Sequence, residues 1–130
     1  MTGVQTCALP IFGDTADLTN YPRTWDQDLA LLESLGTDAV FAPTVDQMYP
    51  HSGIVTVEPG PLGAVLEGQS RPGHFAGVLT VVSKLLHITQ PAVAAFGEKD
   101  YQQLSLIRRM VHDLNFPTRI LGVQIGRAHV

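Results

Sequence analysis

The sequence predicts an α/β fold built on a doubly wound parallel sheet, and three observations carry that expectation. Between Phe75 and Val123 the apolar residues alternate between helical spacing and short continuous runs. Ala92–Phe96 is an unbroken run of small apolar residues and phenylalanine, the composition of a strand buried in a parallel sheet. The resulting order of strand, helix, strand, helix, strand requires helical crossovers between parallel strands, which are right-handed in nearly all proteins.

Each element has its own signal. Thr24–Gly36 is expected to be a helix: Thr24 and Gln27 have capping-box spacing, Leu29, Leu32 and Leu35 share a face, and Gly36 stops it. Ala39–Ala42, ended by Pro43, predicts a short buried strand, and Ile54–Val57 a second. Pro61 opens a short helix through Glu67, and Gly68–Gly73 is a polar loop. Phe75, Val78, Leu79, Val82, Leu85 and Leu86 form the stripe of a long helix that Pro91 ends. After the strand Ala92–Phe96 comes the turn Gly97-Glu98-Lys99-Asp100. Asp100 and Gln103 again have capping-box spacing, and Leu104, Ile107, Val111 and Leu114 form the next stripe. Thr118–Val123 predicts the last strand.

Bulk properties narrow the function classes. The chain has 130 residues, 45% of them hydrophobic, and only 15% are charged, which suits one small α/β domain or part of a larger one and no disordered tail. Eight Lys and Arg residues are scattered without a basic run and the net charge is −4, so no nucleic-acid footprint is present. The most apolar stretch, Phe75–Ile88, is broken by Ser83 and Lys84 and is shorter than the roughly 20 residues that span a bilayer, so no membrane is expected as partner. Met1–Phe12 lacks a positive n-region and a long apolar core, and a cytoplasmic protein is expected. The single cysteine, Cys7, cannot form an internal disulfide.

Ligands of open parallel sheets bind outside the carboxyl ends of the strands. Gly97–Asp100 falls at such an end, directly before a helix N-terminus whose dipole and outward N–H groups favour an anion. Gly97 would let a ligand approach the backbone, Lys99 would meet phosphate, and Glu98 and Asp100 could hold Mg²⁺ or a ribose hydroxyl. The plainer reading, which composition alone favours, is that Asp100 caps the helix and Glu98–Lys99 is a solvated pair. In Gly68–Phe75, Arg71 could grip a carboxylate or phosphate and His74 could bind an anion or move a proton; alternatively Arg71 pairs with a nearby acid and His74 packs. No residue is assigned as a metal ligand by spacing: His51, His87 and His112 share none with other ligating groups. Ser70 and Ser83 lie in no nucleophile-elbow pattern.

Gly97-Glu98-Lys99-Asp100-Tyr101-Gln102-Gln103-Leu104 resembles the nucleotide-binding signature of the pantothenate synthetases, as do Arg71–Val78 and Thr80–Leu85. Tyr21-Pro22-Arg23-Thr24, Phe41-Ala42-Pro43-Thr44 and Met48-Tyr49-Pro50 fit that family in the same order, so the resemblance covers nearly all of residues 12–123. It implies a partial nucleotide-binding domain of the Rossmann-like nucleotidyltransferase superfold. It also implies an ATP-dependent ligase: the pantoate carboxylate attacks the α-phosphate of ATP to give pantoyl adenylate and pyrophosphate, and the β-alanine amine then displaces AMP. By the same resemblance Gly97, Glu98, Lys99 and Asp100 contact ATP, Lys99 acts on its phosphates as the catalytic group, Asp100 assists Mg²⁺, and Gln103 hydrogen-bonds pantoate. Val81 and Val82 line the pantoate pocket or are plain core. The intact parent is expected to be a homodimer. Two alternatives stay open: a non-catalytic nucleotide-binding module, and another adenylyltransferase of the same superfold.

The family's upstream His-x-Gly-His segment and pantoate-binding glutamine, and its downstream serine-arginine loop and C-terminal domain, have no counterpart in these residues. The chain alone is therefore expected to be inactive. Residues 1–11 and 125–130 resemble translated sequencing-adapter DNA in two orientations. They are expected to be non-native and to add no regular structure. Resequencing the source DNA should give other codons at both ends; reads that continue through both junctions as ordinary coding DNA for these same residues would overturn this.

Overall fold

A computed structural model describes residues 4–6, 25–53 and 55–124. The chain divides into two units, residues 1–54 and 55–130, which are taken in turn.

In the first unit, strand β1 (Val4–Thr6) pairs in parallel with β2 (Ala39–Phe41), with Val4 opposite Ala39 and Thr6 opposite Phe41. The expectation of no regular structure in residues 1–11 therefore fails at these three positions. An open strand edge offers unpaired N–H and C=O groups that a short segment with β-branched residues can take up whatever its origin. Helix α1 (Trp25–Ser34) ends as expected at Gly36, whose φ is +77°. The Thr37 N–H reaches the Leu32 carbonyl and the Gly36 N–H that of Glu33, a Schellman closure. Leu29 and Leu32 are half-buried, but Leu35 lies past the helix end and is exposed. The Thr24 half of the expected capping box lies outside the described residues. A capping box not anticipated from the sequence opens the single-turn helix α2 (Val45–Met48): the Gln47 N–H donates to Thr44 Oγ1, and the Thr44 N–H donates to Gln47 Oε1.

The second unit contains the elements expected to surround the site. Val55–Val57 forms no strand, and Ile54 lies outside the described residues. The Val57 N–H donates to the Thr80 hydroxyl at 2.9 Å, so a helix side chain takes the place of a neighbouring strand. The helix expected from Pro61 to Glu67 is interrupted. A 3-10 turn covers Pro61–Ala64, Leu66 adopts φ +53°, and a new turn of helix, α3 (Glu67–Ser70), occupies part of the expected loop. This compact path needs two glycines. A Cβ on Gly68 would overlap the Gly63 carbonyl, and one on Gly63 would overlap the Pro59 ring.

Helix α4 (His74–Thr89) starts after Gly73 and ends at Gln90, whose φ is +49°, just before Pro91. It is buried at Phe75, Val78, Leu79, Val82 and Leu86, as its stripe predicts, and also at Thr80 and Val81. Strand β3 (Val93–Gly97) pairs in parallel with β4 (Arg119–Val123), joined by helix α5 (Tyr101–Asp113). Leu104, Leu106, Ile107 and Met110 bury α5, whereas the expected Leu114 follows the helix and is exposed. Each buried leucine or isoleucine contributes about 2 kcal/mol of transfer free energy. The strand at 93–97 is buried less than its composition predicts. Ala94 and Phe96 are half-buried, but Val93, Leu121 and Val123 on the other face are 46%, 45% and 41% exposed.

Gly68→Ala should destabilise the second unit by about 2 kcal/mol, because the added methyl meets backbone and cannot be relieved by a rotamer change. Chemical denaturation measures this; a change below about 0.5 kcal/mol would show that the loop is looser than described.

Candidate functional site

The β3–β4 ladder sets where the candidate site begins. It opens with the Thr118 hydroxyl donating to the Pro91 carbonyl and the Arg119 N–H to that of Ala92. It runs through Phe96 opposite Gly122 and Gly97 opposite Val123. The Glu98 N–H then donates to the Val123 carbonyl at 2.9 Å, so the chain leaves the sheet at Glu98. Lys99 and Asp100 complete a tight bend, and α5 begins at Tyr101. Gly97–Lys99 thus lies at the carboxyl end of a parallel strand and Asp100 at the N-cap, as the sequence predicts.

The capping box expected between Asp100 and Gln103 does not form. Asp100 has φ −92° and ψ 71°, and its side chain makes no capping hydrogen bond. Thr44, whose box is closed, has ψ 165°. An N-cap oxygen reaches the N2 or N3 amide from the extended region, and Asp100 is outside it. Its backbone still starts the helix, the carbonyl accepting from the Leu104 N–H at 3.0 Å. A helix N-terminus without a side-chain cap is a ready anion site. Glu98, Lys99 and Asp100 are all exposed around it, and Gln103 is half-buried one turn along, beside the fully buried Leu104.

Glycine has a second role at Gly122. A Cβ there would lie 2.7 Å from Arg108 Nη2, 3.1 Å from Glu98 Oε1 and 3.2 Å from Leu104 Cδ2. The bare backbone of β4 therefore lets a carboxylate from the turn and a guanidinium from α5 lie over one point. Sequence reasoning missed Arg108; its position four residues after Leu104 on the helix was the available signal.

Arg71 and His74 are both half-buried. Arg71 follows α3, its N–H donating to the Glu67 carbonyl at 2.9 Å. His74 is the first residue of α4, with its ring 5.1 Å from that of Phe75. The segment before them is joined to the start of α5 by Gln102, which sequence reasoning passed over. Its Nε2 donates to the carbonyls of Val65 and Leu62 at 2.8 and 3.1 Å, and its Oε1 accepts from the Glu67 N–H at 3.2 Å. The two candidate motifs thus belong to one neighbourhood. Val81 and Val82 are buried in α4, which fits core packing.

A cleft of about 540 Å³ lined by Arg108, His112, Phe116 and Arg119 lies at the other end of α5, beside the beginning of β4. There the Asp113 carboxyl is held below the usual carboxylate range by hydrogen bonds from His112 and Arg109. None of the residues expected to bind ligand lines this cleft.

Among known proteins, the chain is 64% identical over 116 residues to a pantothenate synthetase of Mycobacterium sp. strain JLS and 61% identical over 118 residues to that of Rhodococcus jostii. These alignments cover 89% and 91% of this chain but 37% and 38% of the relatives. The chain thus spans a little over a third of their length. Among solved structures, a pantoate-β-alanine ligase from Francisella tularensis complexed with β-γ ATP and β-alanine superposes with a TM-score of 0.92 at 39% identity. That match covers 98% of this chain and 50% of that one. A pantothenate synthetase from Thermus thermophilus gives 0.90 at 48% identity, covering 97% and 47%. The α/β fold expected from the sequence is therefore that of these ligases. The family description Pantoate-beta-alanine ligase matches residues 10–130, and the chain belongs to that family.

Proposed function

We propose that the chain is the nucleotide-binding part of an ATP-dependent ligase that condenses pantoate with β-alanine through a pantoyl-adenylate intermediate. The observation that carries this reading is the turn Gly97–Asp100, set at the carboxyl end of β3 and the start of a helix that the Asp100 side chain does not cap. Its sequence is the one expected to bind nucleotide, and a structural relative was solved with an ATP species and β-alanine.

In this reading Gly97 lets the phosphates approach the backbone, and the N-terminal amides of α5 and the Lys99 ammonium offset their charge. The pantoate carboxylate oxygen bonds to the α-phosphorus as the bond to pyrophosphate breaks. The β-alanine nitrogen then bonds to the acyl carbon, loses a proton and expels AMP. Positioning and charge stabilisation supply most of the acceleration, and Lys99 is the residue placed to act on the phosphates. Gln103, one turn into the helix, offers a neutral amide to pantoate. Glu98 and Asp100 suit Mg²⁺ carried in with ATP, because that ion keeps phosphate and water ligands and needs only one or two carboxylates. When bound, it neutralises phosphate charge. The reading places the protein in the cytoplasm and its intact form in a homodimer. The 130-residue chain, matching little more than a third of its relatives, makes no pantothenate unaided.

Release of AMP from ATP, Mg²⁺, pantoate and β-alanine tests this. In an intact ligase carrying these residues, Lys99→Ala should lower kcat/KM by about 100-fold or more. Being exposed, that substitution should change stability by less than about 0.5 kcal/mol. Gln103→Ala should mainly raise the pantoate KM, by about fivefold, the worth of one neutral hydrogen bond. An enzyme indifferent to Lys99→Ala would overturn the assignment, and full turnover by the 130-residue chain would overturn its inactivity.

A further inference from the structure

We infer that Gln102 is a positioning residue: its side-chain amide ties the Leu62–Glu67 segment to the start of α5 and so fixes Arg71 and His74 relative to the Gly97–Asp100 turn. The inference rests on the reading of that turn as the ATP site.

The geometry is that of a clamp rather than a single contact. Gln102 donates from Nε2 to the Leu62 and Val65 carbonyls and accepts at Oε1 from the Glu67 N–H, so one amide uses both its donor and its acceptor ends. The partners are 35 to 40 residues away in sequence and all are backbone groups. The three bonds straddle Leu66, a non-glycine residue at φ +53°. Such a conformation persists only where its surroundings over-determine it. The Leu66 side chain is 73% exposed and cannot be what holds it.

Its backbone is held instead, by Gln102 and by bonds within the segment. The Gly68 N–H also donates to the Val65 carbonyl, the Gln69 N–H donates to that of Leu66, and the Gly63 carbonyl lies against the Gly68 Cα. The segment is folded upon itself and is joined to α5 by Gln102 along the same stretch, the Val65 carbonyl accepting from both Gly68 and Gln102. It leads through the single turn of α3 into Arg71 and His74. Release of the clamp would leave Lys99 and Gln103 on α5 and its approach while loosening the path to Arg71.

Two variants of this chain separate the amide's hydrogen bonds from its bulk. Gln102→Leu removes all three. Gln102→Glu keeps the shape and an acceptor but faces two carbonyls without a donor. Amide hydrogen exchange in the ligand-free protein and calorimetric titration with Mg·ATP are read together. Both variants should exchange faster at Gly68 and Gln69 by about tenfold, with the amides of α4 unchanged, and should bind ATP about five- to tenfold more weakly. Unchanged exchange at Gly68 and Gln69 would overturn the clamp. Faster exchange with unaltered ATP affinity would overturn its positioning role, as would full ATP affinity in Gln102→Glu. A wild-type chain that binds no ATP would instead sink the reading of the turn, and this inference with it.

Discussion

The parallel pairing of Val93–Gly97 with Arg119–Val123 is the constraint on which the rest of the site depends. Its last hydrogen bond, from the Glu98 N–H to the Val123 carbonyl, decides where the chain leaves the sheet. Because α5 must then return across the face formed by Ala94, Phe96 and Ile120, with Leu104, Ile107 and Met110 buried, few residues remain for the turn. Lys99 and Asp100 occupy it, with their side chains in solvent. Placement of a cation and two carboxylates at a strand's carboxyl end thus follows from sheet register and helix packing.

Two features adapt this frame to a ligand. Asp100 starts α5 through its backbone while its side chain caps nothing, so it does not compete with a ligand for the helix's first amides. Gly122 leaves the β4 backbone bare where a Cβ would meet Glu98 and Arg108. Neither feature improves stability in itself: an uncapped N-terminus costs about 1 kcal/mol relative to a capped one, and a strand glycine costs backbone entropy. Local departures from the most stable choice are characteristic of functional positions.

Much of the frame was legible in the sequence because its signals are local. The stripe from Phe75 to Leu86, the apolar run before Gly97 and Gly36 as a helix stop each depend on residues within a few positions. The Thr-x-x-Gln and Asp-x-x-Gln patterns show the limit of local rules. At Thr44 the box forms, but at Asp100 the ψ angle forbids it. Gln102 and the Thr80–Val57 bond were invisible because their partners lie 23 to 40 residues away and are backbone groups with no sequence signature. The one-sided burial of β3 could not be read either, since composition reports what a strand can bury and not what covers it. Assignment of Lys99 and Gln103 to particular substrates came from family resemblance, not from spacing.

The central claim is that the Gly97–Asp100 turn meets the phosphates of ATP. It is tested most directly by amide NMR of the labelled chain titrated with Mg·ATP. The account predicts saturable shifts concentrated at Gly97–Gln103. Shifts centred instead on His112, Phe116 and Arg119 at the far end of α5, or none at the turn, would contradict it.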